Sequence, residues 1–220
     1  MTFKKILEYT LELILPRSKN VRMLEEMTPE RFRAVLTHRA APDLTVPENA
    51  LIVFDYKHPL VRQAIWELKY RGNKKITRLL AECLYEELVE ELTERKSFEG
   101  FERPILVPVP LSKKRLRERG FNQCELLADA LAVLDGGNFF EVRRDILVKV
   151  RDTESQTKKN RAERLKNLEN CFAIKTPEAT TDRNIILLDD VITTGATMDE
   201  AGRALRRASV RKILHLAVAH

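Results

Sequence analysis

The run NIILLDDVITTGAT, residues 184 to 197, constrains the fold more than any other stretch of the chain. Ile185 to Leu188 are apolar at every position, so a strand here has both faces covered. Such a strand sits inside a parallel sheet, and parallel neighbours need crossover connections, usually helices. The apolar run ends on two carboxylates, Asp189 and Asp190, followed by a turn of small and hydroxyl residues. Ligands of open α/β sheets gather at the carboxyl ends of the strands, where these acids fall.

The rest of the chain alternates as a parallel sheet demands. "LIVFDY" (51–56) reads as a strand, and "PLVRQAIWELKYRG" as a helix with Pro59 near its start and Gly72 past its end. Residues 74–92 give a helix with Ile76, Leu79, Leu80, Cys83, Leu84 and Leu88 inward. "PILVPVP" (104–110) is a strand, and "RGFNQCELLADALAVL" turns into a helix up to Leu134. "FFEV", "DILVKV" and "CFAI" are candidate strands, a helix runs from about Ala196 to Ala208, and "KILHLAVA" is the last strand.

Upstream, Phe3, Ile6, Leu7, Leu11 and Ile14 share one helical face that Pro16 ends, and Thr28-Pro29-Glu30 opens a helix to about Thr37. The loop at 39–50 divides residues 1–50, a small helical or hood region, from an α/β domain at 51–220. The expected fold is an open, mostly parallel sheet flanked by helices.

The chain has 220 residues, 44% hydrophobic and 33% charged, which excludes a disordered polymer. A net charge of +6 favours anionic ligands without choosing among them. Cys83, Cys124 and Cys171 are far apart and form no C-x-x-C pair, so buried free thiols are expected. Glu8 and Glu12 interrupt the apolar N-terminus, and no run reaches the ~18 residues of a membrane span. A cytoplasmic protein is expected.

The turn after the acids opens a helix, whose free N–H groups and positive dipole end suit an anion. Thr193, Thr194 and Thr197 add hydroxyl donors, and Gly195 lets the backbone come close. Two acids repel a bare phosphate but accept hydrogen bonds from neighbouring hydroxyls. A ribose 5-phosphate meets both demands. Two other readings stand beside this one: Asp190 as a plain helix N-cap, and "IILLDD" as a Walker B strand. The seven glycines supply no G-x-x-x-x-G-K-[ST] loop for the latter, and no G-x-G-x-x-G.

"IILLDDVITTGAT" resembles, at every position, the phosphoribosyl diphosphate (PRPP) signature of type I phosphoribosyltransferases. "FDYKHPLVRQAIWELKYRG", "VPVPLSKKRLRERGFNQCELLA" and "RDTESQTKKNRAERLKNLENCF" are similar, in order, to segments of the ComF family of competence-associated proteins, which share that fold. The resemblance covers about residues 51–220. It departs at the N-terminus, which lacks the paired cysteines of a small zinc module, so no zinc is expected, and at Lys159, where the family has an apolar residue.

The resemblance implies that Asp189, Asp190, Val191, Ile192, Thr193, Thr194, Gly195, Ala196 and Thr197 bind PRPP, with both acids in the catalytic role. It places the pyrophosphate at Pro110, Leu111, Ser112, Lys113, Arg115 and Arg119, in a loop after the strand. It makes "VRDTESQTKKNRAERLKN" (150–167) a hood over PRPP, with Arg151, Thr153, Gln156 and Arg164 in the family's pattern. Mg2+ is expected through substrate oxygens rather than a protein site. The implied activity is transfer of phosphoribosyl to an unknown acceptor; Tyr56, His58 and Trp66 are candidates to touch it, beside the leading reading of each as a packing or surface residue. The alternative is a non-enzymatic PRPP-binding accessory of DNA uptake that holds single-stranded DNA or competence-machinery proteins through its basic surface. A PRPP-sensing regulator has less support, because no helix-turn-helix segment is visible.

Overall fold

A computed structural model of the chain describes residues 19–36, 47, 49–151 and 170–220. The elements are α1 (Lys19–Glu26), α2 (Pro29–Val35), β1 (Ala50–Phe54), α3 (Pro59–Arg71), α4 (Lys74–Glu99) and β2 (Ile105–Pro108). Then come α5 (Lys113–Arg119), α6 (Gln123–Asp135), β3 (Glu141–Val142), β4 (Leu147–Lys149) and β5 (Phe172–Ile174). A 3-10 turn at Pro177–Ala179 leads to β6 (Asn184–Val191), α7 (Ala196–Arg207) and β7 (Lys212–Ala219).

Five strands pair in the order β1-β7-β6-β2-β3, every pair parallel. The all-apolar "IILL" run of β6 lies at the centre, as its composition requires. β6 pairs with β7 from Asn184 to Val191, but its ladder with β2 ends at Pro108↔Leu188. One neighbour therefore stops just before the two acids. The prolines at 108 and 110 have no N–H, and the β2–β3 ladder is limited to Ile105↔Glu141 and Leu106↔Val142.

Alternation along β6 and β7 feeds two cores. Ile186, Leu188, Leu214, Leu216 and Val218 pack with α3, α4 and α6. Ile185, Leu187, Ile213 and Ala217 pack with Met198, Ala201, Ala204 and Leu205 of α7. His215 faces the same way as Ile213, and its ring lies under α7, where a Cβ on Gly202 would stand 3.4 Å from His215 Cε1. The ring is buried, and its Nδ1 has no hydrogen-bond partner among the described residues.

Sequence signals at the helix ends are realised in the side chains. Thr28 caps α2 ahead of Pro29, and Asn73 Oδ1 caps α4 by accepting from Lys75 and Ile76. Gly72 and Gly100 end α3 and α4 in left-handed conformations, at φ 56° and 61°. α4 runs to Glu99 rather than to residue 92. Its last turns carry Arg95 between Glu91 and Glu99, ion pairs that show no apolar periodicity. "DILVKV" and "CFAI" contribute β4 and β5, which pair antiparallel with each other and lie outside the main sheet.

The described part of residues 1–50 shares the main core. Val21, Leu24 and Phe32 are buried in it, and Phe32 meets Phe54 edge-on at 5.1 Å. Arg33 pairs with Glu86, and Asn73 Nδ2 donates to Glu25 at 2.7 Å. The expected helix at 3–15 lies outside the described residues.

Phe32→Ala is expected to cost about 3 kcal/mol in denaturant unfolding, because it empties a fully buried ring site. Loss of less than about 1 kcal/mol would show that α2 is not part of the core.

Burial, and then the charge of Arg206, push the His215 imidazole down to about 4. The unfolded chain takes up this proton near pH 6.5, the folded chain only near 4. The stabilisation is complete above 6.5 and is lost as pH falls to about 4, roughly 3 kcal/mol in all. Unfolding titrations across that range should show the loss in the wild type and its reduction in His215→Leu.

Candidate functional site

The strand period sends consecutive residues to opposite faces, so Asp189 and Asp190 diverge at the tip of β6. Both are nearly covered, at 8% and 3% exposure. Asp189 Oδ1 accepts from the Asp190 N–H at 2.8 Å and from the Cys124 thiol at 3.4 Å. Burial, and then the charge of Asp190, raise the Asp189 carboxyl to about 7. Burial followed by that same pair of acids keeps the Cys124 thiol well above its ordinary range, and therefore protonated as a donor.

Asp190 does not cap a helix. Lys69, in the last turn of α3, places Nζ 3.1 Å from Asp190 Oδ2. The two groups form a buried ion pair, and Oδ2 has no other donor among the described residues. Burial pulls the Lys69 ammonium down, but Asp190 and then Asp189 outweigh it and hold it above its ordinary value.

The turn at 192–195 links these acids to α7. The Ile192 N–H donates to Ala219 O at 3.0 Å, and the Ile192 carbonyl accepts from His220 Nδ1 at 2.8 Å. Both backbone groups of the first turn residue are thus fixed by the end of β7. Gly195 is the N-cap of α7 at φ 72°, a left-handed conformation with no cost for glycine. Side chains cap α2, α3, α4, α5 and α6 (Thr28, His58, Asn73, Ser112 and Asn122), whereas α7 has no side-chain cap. Its first N–H groups are left to an outside acceptor. Thr193 is exposed and Thr194 and Thr197 are half-buried around them.

The segment after β2 differs from the expected loop. Ser112 Oγ accepts from Arg115 N, and residues 113–119 form α5. Pro110 and Leu111 are half-buried ahead of it, Lys113 is exposed and Arg115 half-buried. Arg119 lies over the Tyr70 ring at 5.1 Å and donates to Gln123 Oε1 at 2.8 Å. Asn122 ties this segment to the sheet, with Nδ2 donating to Val109 O and Oδ1 capping α6.

The structure thus brings Asp189 and Asp190 to the start of the 192–197 turn, beside Val109 and α6. Arg151 is exposed at the edge of the described chain, while Thr153, Gln156 and Arg164 lie outside the described residues. Of the residues expected at an acceptor, His58 is occupied as the cap of α3, and Tyr56 is half-buried against the core. Trp66 is exposed. Sequence reading missed Lys69, Cys124, Asn122 and His220. Lys69 looks in sequence like any polar residue on an amphipathic helix; only the packing of α3 against β6 marks it. Among the described residues no cluster of three or more His, Cys, Asp or Glu could hold a metal ion, and no helix is long and apolar enough to cross a membrane.

Residues 76–220 match the family described as the phosphoribosyl transferase domain. The chain is 33% identical to competence protein ComFC of Bacillus subtilis over 70% of its length, spanning 56% of that protein. It is 31% identical to competence protein F of Haemophilus influenzae over 76% of its length and 70% of the relative's. It is also 31% identical to the DNA utilization protein YhgH of Escherichia coli K12, covering 73% of this chain and 66% of that one. A solved Staphylococcus aureus hypoxanthine phosphoribosyltransferase overlays with a TM-score of 0.34 at 10% identity, covering 64% of this chain and 62% of that chain. That overlay is too remote to bear on function. With the parallel sheet and the acid-tipped central strand in place, the chain belongs to the phosphoribosyl transferase domain family, and within it to the ComF family.

Proposed function

We propose that the tip of β6 and the start of α7 bind PRPP, and that the protein transfers its phosphoribosyl group to an acceptor with release of pyrophosphate. One observation carries this reading. A buried pair of carboxylates, backed by one ammonium, adjoins a helix start without a side-chain cap. The first feature asks for hydroxyl donors and the second for an anion, and a ribose 5-phosphate supplies both.

In this reading the 5-phosphate takes the free N–H groups of α7 and the hydroxyls of Thr193, Thr194 and Thr197. The sugar diol donates to Asp189 and Asp190. Cleavage at C1 builds positive charge on the ring, and two fixed carboxylates nearby favour that charge. Lys113, exposed, and Arg115, half-buried, are the α5 side chains assigned to draw in the leaving diphosphate, since Arg119 is held by Tyr70 and Gln123.

Two carboxylates, one already paired with an ammonium, are too few for a metal cage. They fit Mg2+ that arrives on diphosphate and sugar oxygens, keeping mostly water and substrate ligands. The ion would neutralise diphosphate charge, and no residue of the chain is assigned to it.

Calorimetry with PRPP and Mg2+ is expected to show binding that Asp189→Asn with Asp190→Asn weakens by about a hundredfold or more. Asp189 is kept by the fold at a cost, because its raised carboxyl destabilises the folded state increasingly as pH rises from 3.8 to about 7. Asp189→Asn alone should therefore raise the unfolding midpoint at pH 8, by roughly 2 °C or more. Unchanged PRPP affinity in the double variant would sink the reading. Pyrophosphate release across an acceptor library then separates an enzyme from a binding protein.

A second reading, an accessory role in DNA uptake, is favoured by the names of the relatives and by one surface. Trp66 and Tyr70 are exposed with rings 5.5 Å apart, Arg71 lies over Trp66 and Arg119 over Tyr70. Exposed Lys113, Lys114 and Arg117 follow on α5. Such arginine–aromatic platforms suit stacked bases of single strands. Affinity for an oligothymidylate is expected to fall steeply with salt and to drop about tenfold in Trp66→Ala with Tyr70→Ala. A double variant that binds as the wild type does excludes this surface.

A further inference from the structure

The sugar-diol reading leaves Lys69, half-buried beside the acids, without a part. Lys69 reaches the acid pair from α3, and its side chain is only 22% exposed. Its position is set by the buried neighbours Ile65 and Leu68, and Gly72 ends the helix three residues on. The groups facing it are Asp190 and Asp189 from β6 and Tyr56 from the segment after β1, while Cys124 of α6 adjoins Asp189.

Two consecutive carboxylates under this degree of burial oppose each other's ionisation. A lone pair of this kind would keep a proton, and a protonated acid has lost an acceptor that a sugar hydroxyl needs. An ammonium 3.1 Å from one of them changes the balance, because its charge is felt by both. The Asp190 oxygen it faces is itself buried and has no other donor among the described residues.

We infer that Lys69 is a positioning residue, the counter-ion that favours ionisation of the Asp189–Asp190 pair and so sets the pH range over which the pair holds a vicinal diol. The inference rests on the sugar-diol reading, and two arms separate their fates.

The first arm uses no ligand. Carbon NMR of the full chain with labelled aspartate, assigned through Asp189→Asn and Asp190→Asn, follows the carboxylates from pH 3 to 9. Lys69→Met is expected to raise the apparent midpoints of the pair by about one pH unit or more, while Lys69→Arg keeps them close to the wild type. The second arm measures PRPP affinity with Mg2+. Lys69→Met should weaken it about tenfold at pH 6.5 and much less at pH 8.5, with Lys69→Arg within about threefold throughout. Ligand titration is common to all variants and cancels.

If Lys69→Met lowers stability but leaves the carboxylate midpoints in place, Lys69 is merely structural and the inference is overturned. If the midpoints move and the wild type does not bind PRPP, the counter-ion role stands and the sugar reading fails. Tighter PRPP binding by Lys69→Met would make Lys69 a competitor of the ligand and overturn the inference. Lys69→Gln serves the same comparison if Lys69→Met does not fold.

Discussion

The tip of β6 depends on electrostatic compensation between two acids on consecutive residues and one lysine from a different layer. Charged carboxylates lose water when a parallel sheet closes around them, and hydrogen bonds and a nearby cation must make up the loss. Asp189 recovers part through a backbone N–H and a thiol. Asp190 recovers it through Lys69. The incompleteness of that recovery is what a ligand with hydroxyl donors would exploit.

The remaining parts of the site are arranged around that tip by backbone bonds. β2 ends opposite Leu188, Val109 N still donates to Leu188 O, and Asn122 holds Val109 while capping α6. On the other side the end of β7 fixes Ile192 from both its N–H and its carbonyl. The surroundings of the tip are therefore built from strand ends and helix starts, an arrangement suited to positioning.

The central strand was legible because a fully apolar run followed by acids has few alternatives. The helix ends were legible because Thr28, Pro29, Gly72 and the paired Gly136 and Gly137 act through local dihedrals and caps. Less was visible where long-range packing decides. The 3.1 Å contact of Lys69 with Asp190 joins residues more than a hundred positions apart and leaves no periodic trace. α5 was taken for a loop because its seven residues have no apolar face and none is buried, so Ser112 and Gly120 at its ends were the sole signals. β4 and β5 were legible as strands but not as a separate pair, since partner choice lies in the sheet and not in either segment.

Which of the two acids faces which layer depends on where the ladder with β7 is fixed, with Asp189 opposite Ala217. Strand geometry repeats every two residues, so slipping by one would trade the acids between layers. Asp189 would then be turned toward the ammonium and Asp190 toward the thiol. Point substitutions along the strand leave this parity intact, whereas deleting a single residue between 184 and 188 reverses it. For this stretch of chain, length in residues is as much a part of the chemistry as the identity of the side chains.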